Sequence, residues 1–125
     1  MGIYISSSVP VSVFVMSSSR ASGDTFLAFP LDALGTEYDI LAYLSWKSGY
    51  LSEVVFDAPF DGTIVNMTVE NQSTVVTLDR LDQYQMLTTT QTLTGALVSS
   101  NKPIAVFSAA SCDTGIWRKK WSLHI

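Results

Sequence analysis

Gly95-Ala96-Leu97-Val98-Ser99-Ser100-Asn101-Lys102-Pro103-Ile104-Ala105-Val106-Phe107 sets two β-prone runs on either side of a polar break. Ser99, Ser100 and Asn101 carry short polar side chains that can hydrogen-bond their own backbone, which is the chemistry of a turn. Pro103 has no N–H for a ladder and suits the first position of a returning strand. The stretch reads as a hairpin or corner. A near-copy opens the chain: Gly2-Ile3-Tyr4-Ile5-Ser6-Ser7-Ser8-Val9-Pro10-Val11-Ser12-Val13-Phe14. Gly, Ser, Ser, Pro, Val and Phe recur at matching positions. Two copies fall short of a solenoid, which needs roughly three or more stacked units. They predict one hairpin type used twice in a pseudo-symmetric sandwich.

The rest of the chain repeats the same grammar. Polar turns at 17–24, 47–49, 57–62 and 70–72 separate short apolar runs. Pro30 halts the run Thr25 to Phe29, and Asp32 to Thr36 reads as a single helical turn closed by Gly35. Glu37 to Trp46 carries apolar residues on both faces and is expected to be a central strand. Asp61-Gly62 supplies the positive φ of a tight hairpin. Thr63 to Val69 alternates, with Ile64, Asn66 and Thr68 opposite Val65, Met67 and Val69, the mark of a half-buried strand. Nine or so strands without a sustained helical period predict an all-β, antiparallel β-sandwich. Parallel pairing is not expected, because no crossover helix is available. The core is predicted to gather Val13, Phe26, Leu41, Val55, Val76, Ile104 and Val106.

Length and composition agree with a β-module of one domain. The chain has 125 residues, 47% of them hydrophobic and only 14% charged, against a usual ~25% charged. That composition rules out disorder as the main state. The net charge is -4, and three of the seven basic residues, Arg118, Lys119 and Lys120, sit together near the end. The body of the domain therefore lacks the clustered Lys and Arg that a phosphate backbone requires, which argues against nucleic acid as a partner. No run reaches the ~20 apolar residues of a membrane span, and no signal peptide is visible.

Chemistry-bearing residues are few, and the sequence implies no catalytic residue, no cofactor and no metal. His124 is the sole histidine and sits in the tail, so a nucleophile–base pair is hard to build. Cys112 is the sole cysteine: a buried small hydrophobe, a partner for a cysteine of another chain, or a free thiol. Asp24, Asp57 and Asp61 lie in or beside turns and could join backbone carbonyls around calcium, although turn formation is by far the commoner reason for such residues. Asn66-Met67-Thr68 and Asn71-Gln72-Ser73 are N-glycosylation sequons. Asn71 falls in a predicted turn and is the better acceptor if the protein is secreted. Trp117 to Trp121 forms a basic–aromatic cluster on a tail that departs from the strand pattern.

Two runs then carry a family likeness. Asp24-Thr25-Phe26-Leu27-Ala28-Phe29-Pro30-Leu31-Asp32-Ala33-Leu34-Gly35-Thr36-Glu37-Tyr38 resembles the first hallmark of the IgGFc-binding protein N-terminal domain family. Leu93-Thr94-Gly95 followed by Ser99 to Ser108 resembles its second. The likeness spans residues of about 2–112, with 113–125 a divergent tail. It implies a non-catalytic binding or adhesion module of a large extracellular, mucus or cell-surface glycoprotein. The implied ligand is a protein or glycoprotein, of the immunoglobulin Fc or mucin kind. The competing reading is a carbohydrate-binding jelly-roll domain, calcium-dependent or not, with Tyr43, Trp46 and Tyr50 as an aromatic platform.

Overall fold

The computed structural model describes residues 2–18, 23–42, 51–89, 92–110 and 123–124. They are almost all β-structure: β1 (Ile3–Tyr4), β2 (Phe14–Ser18), β3 (Gly23–Leu27), a 3-10 turn (Leu31–Ala33), β4 (Gly35–Asp39), β5 (Ser52–Asp57), β6 (Thr63–Val69), β7 (Gln72–Leu78), β8 (Gln83–Thr88), β9 (Leu97–Ala110) and β10 (Leu123–His124). The main sheet has the order β7-β6-β9-β5-β8, with β4 also on β9, and all its pairs are antiparallel. The sheet curls into a half-barrel. The all-β, antiparallel expectation holds.

The two hairpins do not form. Residues 97–110 are one continuous strand of 14 residues. The polar break sits where this strand changes neighbours. Its pairing with β6 ends at Ser100 opposite Val65, and its pairing with β5 begins at Ala105 opposite Asp57. The missing N–H of Pro103 falls between the two ladders, where a central strand tolerates it. The turn-forming side chains serve another turn instead of making their own. Asn101 Oδ1 accepts from Ile64 N at 2.8 Å, its Nδ2 donates to Gly62 O at 3.3 Å, and Lys102 Nζ donates to Asp61 O at 2.6 Å. The opening near-copy splits differently: β1 pairs with β10, residues 5–13 form no strand, and β2 pairs with β3. The pseudo-symmetry is therefore an accident of composition. The β1/β10 pair is also parallel, contrary to expectation. Most of the chain serves as its crossover, so no dedicated helix is needed.

The core lies on one face of the sheet. Val54 and Phe56 of β5, Val65 and Met67 of β6, and Val98 and Ile104 of β9 meet there, with Ile40, Ala42 and Leu93 closing it. Strand alternation sets this partition, and β6 follows the predicted in-and-out pattern residue for residue. Ile104 is buried as expected, and Val76 and Val106 pack against the core half-buried. Val55 is buried too, but it belongs to the opposite face of β5 from Val54 and Phe56. Val13 and Phe26 are half-buried. Leu41 departs from expectation at 79% exposed: with Ile40 and Ala42 turned inward, alternation sends it out. The expected central strand from Glu37 also differs. Among the described residues β4 ends at Asp39 and pairs only with β9, whereas β5 lies between β8 and β9 and is buried on both faces.

Candidate binding cleft

Pro30 ends the run that contains β3, because it can neither donate to a ladder nor extend it. The chain then makes the 3-10 turn, closed by Ala33 N to Pro30 O at 3.0 Å and Leu34 N to Leu31 O at 3.3 Å. The predicted helical turn is thus present one residue earlier than read. Gly35 does not cap it in a left-handed conformation, since only Gly62 and Gly95 among the described glycines have positive φ. Gly35 instead starts β4 and donates its N–H to Tyr38 Oη at 2.7 Å. The same hydroxyl donates to Ile104 O at 2.6 Å. One phenol therefore fastens the start of β4 to the middle of β9.

On the other side of this fastening, β2 and β3 form a separate two-stranded ribbon, extended by Ala28 N to Val13 O at 2.9 Å. The ribbon reaches β9 through Phe26, whose ring lies 5.3 Å from that of Phe107 at an interplanar angle of 51°, a tilted aromatic pair. Between ribbon, 3-10 turn and β9 lies a cleft of about 470 Å³. All the residues that line it come from two runs, 24–38 and 105–108. Its surface is mostly aliphatic and aromatic. Phe29 is 67% exposed, and Leu27 is exposed beside it.

The polar groups of the cleft are already engaged. Asp24 Oδ1 accepts from Thr25 N at 2.8 Å, Ser108 Oγ donates to Leu41 O at 2.8 Å, and Tyr38 Oη makes the two bonds above. What the cleft can do is remove apolar side chains of a partner from water. Sequence reasoning placed Phe26 in the core and did not single out Phe29 or Phe107. The available signal was the unbroken run Phe26-Leu27-Ala28-Phe29 ahead of Pro30: apolar on both strand faces, with only one face needed to cover a sheet.

The other predicted site residues are scattered. Asn71 is exposed in the turn between β6 and β7, while Asn66 is half-buried within β6. Asp61 Oδ1 accepts from Arg80 N at 2.9 Å, and Asp79 Oδ1 accepts from Gly62 N at 3.1 Å, so these carboxylates clamp two neighbouring turns to each other. Asp57 is fully buried in β5. Among the described residues no group of three or more His, Cys, Asp or Glu is placed to hold a metal ion. Cys112, the Trp117–Trp121 cluster and the platform residues Tyr43, Trp46 and Tyr50 lie outside the described residues. His124 belongs to β10. Among the described residues no helix is long and apolar enough to cross a membrane.

A family model described as IgGFc binding protein matches residues 24–122, well over half of the chain. The chain belongs to this family. The match starts at Asp24, where the first hallmark run starts, and it extends past Cys112 into the tail. None of the curated proteins and none of the solved structures compared with the chain matches it.

Proposed function

We propose that this member of the IgGFc-binding family is a non-catalytic, extracellular binding and adhesion module whose cleft takes an apolar segment of a protein or glycoprotein ligand. The observation that carries this reading is the convergence of the two hallmark runs, far apart in sequence, on one cleft. Part of these runs, Leu93 and Ile104, goes to the buried core, but the rest ends at a surface that keeps Phe29 and Leu27 in water. Large exposed aromatics in a concave setting are the usual anchors of protein recognition.

The test uses the purified chain on a biosensor with two probes, the Fc fragment of immunoglobulin G and a purified mucin. Phe29→Ser alters the cleft mouth, and Val75→Ser alters a comparably exposed position on β7, away from the cleft. Binding of at least one probe is expected, weakened by roughly tenfold or more in Phe29→Ser, as for loss of an aromatic anchor, and unchanged in Val75→Ser. Equal binding by all three proteins would remove the cleft from the reading. Binding of neither probe would remove the ligand class.

A further inference from the structure

Two sequons lie five residues apart, and the fold treats them differently. Asn66 is in mid-strand on β6, paired with Val75 of β7 on one edge and Ser99 of β9 on the other. Its Oδ1 is buried and has no hydrogen-bond partner. A glycan there would stand on a sheet face in mid-strand, between the neighbouring strands β7 and β9, on a side chain that is only partly exposed and whose amide oxygen is buried. Asn71 stands in the two-residue turn that joins β6 to β7, across the register pair Val69 and Gln72. Glu70, Asn71, Gln72 and Ser73 are all exposed. The turn projects from the end of β6 where Thr68 faces Leu97, the first residue of β9. The cleft uses Ala105 to Ser108 of the same strand. At about 3.3 Å per residue, the eight to eleven residues from Leu97 to the cleft put the two sites roughly 26–36 Å apart along β9.

We infer that Asn71 is an N-glycosylation site, that Asn66 is not, and that the glycan leaves the binding cleft open. The modification requires the lumen of the secretory pathway, so the inference rests on the extracellular reading above. In the transfer, Nδ2 of Asn71 forms a bond to C1 of the reducing-end sugar of a polyisoprenyl-diphosphate-linked oligosaccharide. The C1–O bond to the diphosphate breaks, and its electron pair leaves with the diphosphate. One amide proton of Asn71 is released. The Ser73 hydroxyl supplies the third sequon position. It is 2.9 Å from Thr68 Oγ1 across the turn, so it lies at the surface and not in the core.

The experiment translates the full chain behind a cleavable secretory leader in the presence of microsomes, and reads only the protease-protected fraction. The expected result is one upward mobility shift, reversed by peptide N-glycosidase. Asn71→Gln and Ser73→Ala should abolish it, while Asn66→Gln and Ser73→Thr should keep it. An unshifted protected chain, or a shift that disappears with Asn66→Gln and survives Asn71→Gln, would overturn the inference. The leader forces translocation, so this result does not depend on where the chain resides. The binding reading is judged separately, by the Phe29→Ser sensor experiment.

Discussion

Tyr38 joins two strands through one oxygen: it accepts from Gly35 N and donates to Ile104 O. Phenylalanine would keep the ring and strip both bonds, leaving a partly buried N–H and carbonyl unpaired. Tyr38→Phe is expected to cost about 1–3 kcal/mol in urea unfolding, since an unmade bond leaves its desolvated partner behind. Glu53 poses the opposite case. Burial on β5 raises its carboxyl above the ordinary value of 4.5, partly countered by the hydrogen bond from Gln85. The native state therefore holds this proton at a pH where the unfolded chain has released it. This contribution is fully favourable below 4.5 and is lost as pH rises through the native value. Glu53→Gln cannot ionise and keeps an acceptor for Gln85. It should melt higher than the parent at neutral pH, with the gap narrowing as the pH falls through the raised native value and constant once the pH is below 4.5.

At the scale of elements, β9 carries the structure, and its reading shows what sequence pattern conveys. Ser-Ser-Asn-Lys-Pro was legible as a disturbance of a strand but not as a change of partner within one strand. The residues that signal a local turn also satisfy someone else's turn, and the difference lies in contacts with Gly62, Ile64 and Asp61 far away in sequence. β6, by contrast, was readable in full, because alternation of polar and apolar residues is a local signal of which face is covered. Leu41 failed for the same reason that β6 succeeded: its side is fixed by Ile40 and Ala42, and three consecutive apolar residues hide the phase. Ile104 lies at the change of partner and is fully buried, so Ile104→Ala should cost about 2–5 kcal/mol. Leu41→Ala, at an exposed position, should stay within about 0.5 kcal/mol of the parent. Comparable losses at both sites by chemical denaturation would refute the assigned phase of β9 and of the segment 40–42 that follows β4.

For the whole molecule, the family likeness was legible in two separate runs, but their meeting was not. Nothing local in Asp24 to Tyr38 announces that it faces Ala105 to Ser108. The antiparallel sheet was foreseeable from strand-length apolar runs and turn residues, whereas the ribbon of β2 and β3 lying off the main sheet was not. The structure hangs together as a binding module only if that ribbon is docked on β9, because the cleft exists between them. The contact to interrogate is Phe26 against Phe107. A double-mutant cycle of Phe26→Ala and Phe107→Ala, followed by equilibrium unfolding, measures whether the rings touch. The expected coupling is about 0.5–1.5 kcal/mol, the range for a tilted aromatic pair. Additivity within about 0.3 kcal/mol would mean that the ribbon does not dock on β9 through this pair, and the cleft between them would not exist.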